Sequence, residues 1–116
     1  MNKRKVGRKF SRKRDQRWAL MRSLLTAFFE KEKMKTTLAK AKETSKFAEK
    51  LITKSKKDNL ATRRALSRYF SDKITKKLVD DLGKRYKDRN GGYTRVIKTG
   101  QRKSDTDKMA IIELVK

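Results

Sequence analysis

Residues 34–55 read MKTTLAKAKETSKFAEKLITKS, and the change of pattern inside this stretch decides the fold class. Lys35, Thr36 and Thr37 favour a short extended segment, because β-branched side chains are stiff at χ1 and pack well on a pleated surface. Thr37 then supplies the side-chain oxygen that caps a helix. From about Leu38 to Ser55 the small and apolar residues Ala41, Ser45, Ala48, Leu51, Ile52 and Ser55 share one helical face. Lys40, Lys42, Glu43, Lys46, Glu49 and Lys50 occupy the rest, which predicts a solvated exterior of mixed sign. A strand delivering directly into an amphipathic helix predicts an α/β chain.

On the N-terminal side, Trp18, Met21, Leu24, Leu25 and Phe28 follow the i, i+3, i+4, i+7 spacing. They predict a helix that begins at a Ser11 cap and buries this stripe, Trp18 included, as core. Residues 1–17 hold nine Lys or Arg and one acid, Asp15. Val6 and Phe10 are too few to offset the roughly 1–2 kcal/mol per residue that backbone ordering costs. Residues 1–10 are therefore read as a basic arm, disordered when free, and residues 11–116 as one α/β domain. The solvated side of the first helix carries Arg12, Arg14 and Arg17 and prolongs the arm's charge.

On the C-terminal side, Asp58 and Asn59 restart a helix through Ala61, Ala65, Leu66, Tyr69 and Phe70. Ser71 or Asp72 opens another, with Ile74, Leu78, Val79 and Leu82 inward. Gly83 is placed just past its end, where a left-handed conformation is inexpensive. Residues 84–92, KRYKDRNGG, read as a basic loop. Tyr93–Thr99 and Met109–Val115 read as strands joined through a turn-like 100–108 segment, an antiparallel hairpin with Val96, Ile112 and Leu114 inward. Both faces of the last strand look apolar enough to be covered. The expected architecture is thus three to four short amphipathic helices packed on a small sheet that ends in a C-terminal β-hairpin.

The composition narrows the chemistry. The chain has 116 residues and a formal net charge of +23, with a pI of about 10.7. Leu, Ile, Val and Phe make up about a fifth of it, so burial stabilises it weakly. A charge this large repels itself, and a phosphate-rich partner relieves the repulsion, so nucleic acid is the first partner inferred. There is no Cys and no His, which removes disulfides, thiolate nucleophiles, cysteine-based zinc sites, the usual general base and the commonest metal ligand. No run of about 18 apolar residues is present for a membrane span, and the basic start leads into more charge where a signal peptide needs an apolar core. Asp80 and Asp81 are adjacent, about 100° apart on a helix, and do not make a metal motif. The reading is of a non-enzyme with no catalytic residue, metal, cofactor or small-molecule substrate.

Three basic groups are candidates for nucleic-acid contact. The first is the arm with the first helix, Arg4, Lys5, Gly7, Arg8, Lys9, Arg12, Lys13, Arg14 and Arg17. Its cations neutralise phosphates and its flexibility suits irregular folded RNA. The second surrounds Arg85, Arg89, Gly91, Gly92, Tyr93 and Arg95. Glycines there allow close approach to a sugar-phosphate chain, and Tyr86 and Tyr93 either stack on bases or belong to the core. The third is Arg63, Arg64 and Arg68, a contact surface or a merely solvated helix face. Lys35, Thr36 and Thr37 offer donors to phosphate, although capping explains Thr37 equally well.

Several blocks resemble a known family. GRKFSR (residues 7–12), QRWALMRSL (16–24), MKTTLAKAKE (34–43), EKLIT (49–53), RRAL (63–66), GGYTRV (91–96) and IELV (112–115) occur in order across nearly the whole chain. They are similar to the seventeenth protein of the bacterial large ribosomal subunit, although many members of that family carry His where this chain has Gln16. The resemblance implies an α/β fold with helices on a small mixed sheet, and a structural, non-catalytic role in the cytoplasmic ribosome. It implies binding to large-subunit ribosomal RNA near the mouth of the nascent-chain exit tunnel, beside neighbouring large-subunit proteins. Carried over by position, its RNA-facing residues are Arg4, Gly7, Arg8, Lys9, Arg12, Arg17, Lys35, Thr36, Thr37, Arg89, Gly91, Gly92, Tyr93 and Arg95. A chromosome-associated DNA-binding protein and a small RNA-processing enzyme using Lys and Asp are the competing readings.

Overall fold

The structure is a computed structural model that describes residues 14–101 and 108–115. Helix α1 (Arg14–Lys31) leads into strand β1 (Lys33–Thr37), and β1 passes without a gap into α2 (Leu38–Ser55). Thr37 stands at the junction with extended backbone, and its hydroxyl accepts from the Lys40 amide at 3.3 Å. Helix α3 (Leu60–Ser67) starts at Asn59, whose side chain accepts from the Thr62 amide at 2.8 Å. Ser71 caps the next helix in the same way through Ile74. That helix, α4, begins as Asp72–Lys76, widens into a π-helical turn over Lys77–Leu82 and closes with Gly83–Arg85. Strands β2 (Thr94–Gln101) and β3 (Lys108–Leu114) complete the chain.

The three strands lie in the order β1-β3-β2 and every pairing is antiparallel. The expected hairpin is therefore present, and β1 joins its β3 side, with Met34 opposite Ile112 and Thr36 opposite Ala110. The sheet is antiparallel throughout where a mixed one was implied, because β1 adds beside β3 and runs against it. A register shift between Lys98 and Gly100 bends β2. Helix α2 lies against all three strands. Met34, Val96, Ala110, Ile112 and Leu114 face it, and among the described residues no helix covers Lys33, Lys35, Arg95, Ile97, Met109, Ile111 and Glu113 on the other side. The second face of β3 is consequently half-buried, not enclosed.

The core joins Leu25, Phe28 and Phe29 of α1 to Ala48 and Ile52 of α2, Leu66 of α3, Leu78 and Leu82 of α4 and Ile112 of β3. Burying each large apolar side chain contributes roughly 1.5–3 kcal/mol, and small residues on α2 let the sheet approach closely. In α3 the inward residues are Thr62 and Leu66, with Phe70 continuing the stripe; Ala61 and Tyr69 are exposed.

Four expectations are corrected here. Gly83 is helical, with φ −60°, and its role is steric: a Cβ there would stand 2.5 Å from the Ser55 carbonyl oxygen. The helix continues through Arg85, so the 84–92 loop is shorter than its composition indicates. Glu43, read as solvated, is buried at 5% exposure. Trp18 lies at the open end of the α1 stripe and keeps 37% of its surface in solvent, unlike Met21 and Phe28.

Candidate nucleic-acid interface

The described cations fall into two sets according to whether an acid neutralises them. Arg63 Nη2 donates to Asp58 Oδ1 at 2.9 Å and to Asp80 Oδ1 at 2.6 Å. The hydrogen bonds to Asp80 and Asp58 raise the Arg63 pKa, and the bond from Arg63 lowers that of Asp80. Arg85 donates to Glu32 at 2.7 Å and to Asp81 at 3.0 Å. Asp80 and Asp81 thus serve two different arginines from adjacent helical positions. Lys77 Nζ reaches the second Glu32 oxygen at 2.9 Å. The Arg85 hydrogen bond, opposed by burial and assisted by Lys77, holds the Glu32 carboxyl at a pKa of about 2. Arg95 meets its cross-strand partner Glu113 at 3.2 Å.

The Asn-Gly-Gly-Tyr-Thr segment, residues 90–94, is anchored rather than open. Gly91 and Gly92 have φ of +96° and +65°, a region that L side chains rarely adopt, so the chain can turn sharply before β2. Glu49 of α2 holds the turn: one oxygen accepts from the Gly92 amide at 3.0 Å, the other from the amide and hydroxyl of Thr94, both at 2.9 Å. Arg89 Nε donates to the Gly92 carbonyl at 3.1 Å. Tyr93 is 1% exposed, its hydroxyl donating to the Arg89 carbonyl at 3.2 Å, and Lys56 Nζ sits 4.8 Å from its ring centroid while also bonding the Arg89 carbonyl. Tyr86 is buried beside it, 5.2 Å between centroids, its hydroxyl on the Val115 carbonyl. Neither ring has a free face, so the stacking role considered for Tyr86 and Tyr93 is withdrawn; both are core residues that fix the loop.

The other candidates are distributed as follows. Thr37 acts as the α2 cap, and Thr36 points to the helix-covered side opposite Ala110. Lys35 is exposed on the uncovered side, two residues from Lys33. Among the described residues, Arg14, Arg17, Arg22, Lys33, Lys35, Arg64 and Arg68 make no ion pair; Arg14, Arg64 and Arg68 are exposed. Arg4, Lys5, Gly7, Arg8, Lys9, Arg12, Lys13 and the Ser11 cap lie outside the described residues. The reading of single residues missed Arg22, Lys33 and the exposure of Trp18. A signal existed for Trp18: its neighbours at i−4 and i+4 are Arg14 and Arg22, so it stands in a charged stripe as much as in an apolar one.

Unpaired guanidinium and ammonium groups are suited to neutralising phosphates. No group of three or more metal-ligating side chains occurs among the described residues, and no helix there is long and apolar enough to cross a membrane.

The sequence comparisons agree in one direction. The family described as Ribosomal protein L17 matches residues 20–115. The large ribosomal subunit protein bL17 of Natranaerobius thermophilus is 50% identical over 109 residues, covering 93% of this chain and 96% of its own length. The bL17 proteins of Zymomonas mobilis and Dictyoglomus thermophilum are 53% and 44% identical over 116 residues, covering 99% of this chain and 83% and 100% of their own lengths. Since the match takes in the strand-to-helix junction, the anchored glycine turn and the last strand alike, the chain belongs to the ribosomal protein L17 family.

Proposed function

We propose that this protein, a structural and non-catalytic constituent of the large ribosomal subunit, binds large-subunit ribosomal RNA near the mouth of the nascent-chain exit tunnel. Its basic arm, residues 1–10, and the unpaired arginines of α1 supply most of the phosphate contact. The anchored turn at Gly91 and Gly92 presents Arg89 at a fixed position, next to an Arg95 that Glu113 already holds, and Lys35 adds charge from the uncovered sheet face. Neighbouring large-subunit proteins share the site, and no cofactor or metal takes part.

The observation that carries this reading is the separation of the charges. Five of the described acids, Glu32, Asp58, Asp80, Asp81 and Glu113, pair with Arg63, Arg85, Lys77 and Arg95 and tie elements of the domain to one another. Among the described residues, Arg14 and Arg17 at the start of α1 pair with no acid, and they continue a stretch in which Asp15 is the only acid before residue 18. A partner with regularly spaced negative charge complements this distribution.

Sucrose-gradient sedimentation of cell lysate, at moderate and high salt, tests the proposal. Stoichiometric recovery in the large-subunit peak after the high-salt wash is expected. Recovery with the nucleoid would favour a DNA-binding role, and RNA hydrolysis by purified protein that vanishes in an Asp80→Asn, Asp81→Asn variant would favour an enzyme.

A further inference from the structure

Trp18 and Tyr69 form an exposed aromatic pair that the core does not need. Their ring centroids are 5.4 Å apart at an interplanar angle of 88°, and the Phe47 ring centroid lies 6.5 Å from that of Trp18 at 61°. Trp18 is 37% exposed and Tyr69 45%. An edge-to-face contact covers at most one face of each ring. The other aromatic contacts behave differently: Phe28, Phe29 and Phe70 pack together inside, as do Tyr86 and Tyr93. A large aromatic left in water on a domain with so few large apolar residues requires an explanation beyond stability.

The surroundings are cationic. Arg14 and Arg22 stand one helical turn to either side of Trp18 on the same face of α1. Lys50 Nζ lies 5.9 Å from the Phe47 ring centroid, and Arg68 immediately precedes Tyr69. Among the described residues none of these four cations pairs with an acid. A π-surface flanked by free cations matches an unpaired nucleotide, whose base stacks while its phosphates are neutralised on both sides. It does not match a regular duplex, in which base faces are occupied by their neighbours.

We infer that Trp18, supported by Tyr69, stacks on an unpaired base of the bound RNA. This rests on the ribosomal-RNA reading above and specifies the element of RNA recognised: a looped-out or single-stranded nucleotide, read by stacking and not by sequence. Arg14 and Arg22 hold the phosphates flanking that nucleotide.

Trp18 is the chain's only tryptophan, so its emission reports on this site alone. The full-length protein is titrated, at fixed salt, with short oligoadenylate and with an abasic oligoribonucleotide of the same length, which has the same phosphates and no bases. Oligoadenylate is expected to quench the emission strongly and the abasic strand weakly. Trp18→Ala should weaken oligoadenylate binding by roughly 5- to 150-fold and leave the abasic strand's affinity unchanged. Trp18→Phe, which keeps a stackable ring, should retain most of the oligoadenylate affinity, and it decides the matter together with the quenching ratio if the alanine variant does not fold. Equal quenching by both strands, or an equal effect of Trp18→Ala on both affinities, would overturn the stacking role while leaving phosphate binding intact. Unchanged affinity for both strands with reduced retention of Trp18→Ala on large subunits would assign the pair to a protein neighbour. Failure of both strands to bind at low salt would instead remove the RNA reading itself.

Discussion

Glu32 joins backbone geometry to charge at one residue. It has φ of +65°, a conformation that costs a non-glycine residue about 1–2 kcal/mol, and it sits where α1 must stop and turn into β1. The position is held from several directions: the Glu32 amide donates to Phe28 at 2.6 Å, its carbonyl accepts from Leu114 at 3.1 Å, and its carboxylate receives Arg85 and Lys77. Because the folded pKa is lowered from 4.5 to about 2, the folded state binds the proton less readily than the unfolded chain. The ion pairs therefore stabilise fully above pH 4.5, and that stabilisation is lost as the pH falls toward 2. Glu32→Gln should lower stability at pH 7 by roughly 1–2 kcal/mol after allowance for solvent screening. Urea midpoints of the two proteins should converge as the pH falls from 5 to about 2; a difference that persists at the acid end would mean that the carboxylate is not its source. Gly83→Ala acts through sterics and not through charge. Its Cβ would meet the Ser55 carbonyl at 2.5 Å, and backbone cannot yield as a side chain can, so a cost of about 2–3 kcal/mol is expected, checked as a thermal midpoint lower by roughly 10 °C. Gly83 shows a limit of sequence reading. Glycine after an apolar stripe signals a helix end, and nothing local reveals that a carbonyl 28 residues upstream needs the space.

Elements whose signals are local were legible, and those set by distant contacts were not. The Thr37, Asn59 and Ser71 caps bond amides three residues on, so the helix starts of α2, α3 and α4 could be read directly from residue type and spacing. The β2–β3 hairpin followed from alternation and the intervening turn residues. The attachment of the glycine turn to α2 was hidden, because Glu49 is separated from Gly92 and Thr94 by more than 40 residues and looks like any solvated helical acid. Burial of Tyr86 and Tyr93 was hidden for the same reason: their place depends on Lys56, Thr53 and the β3 end. As a result the basic loop looked like an open binding loop, whereas both of its tyrosines are buried and its turn is tied to α2 through Glu49. Glu49→Gln replaces one accepting oxygen by an NH2 that faces an amide or hydroxyl donor. It should cost about 1–2 kcal/mol and speed hydrogen exchange at Gly92 and Thr94 more than in α3, as read by NMR. Uniform acceleration across the protein would show that the turn is not separately anchored.

For the molecule as a whole, net charge and charge arrangement make different predictions. A charge of +23 would give affinity for any polyanion however the cations were placed. The arrangement matters because an arginine already bonded to a carboxylate releases fewer counterions when phosphate approaches, and because removing it leaves an acid unpaired. Two triple variants, Arg14→Gln with Arg17→Gln and Arg22→Gln, and Arg63→Gln with Arg85→Gln and Arg95→Gln, remove the same charge from the two sets. The first should lower the slope of log affinity against log salt by about 2–3, since each lost phosphate contact removes about 0.7–0.9, with little change in thermal midpoint. The second should lower the slope by less than the first and reduce the midpoint measurably, because Glu32, Asp58, Asp80, Asp81 and Glu113 lose partners. Filter binding to a large-subunit RNA fragment between low and moderate salt measures the slopes, and calorimetry the midpoints. Equal slopes and equal midpoints would mean that the protein meets RNA as an undifferentiated positive body. A larger slope loss from the second set would move the interface to the ion-paired face, with the carboxylates acting as exchangeable counterions that phosphate displaces.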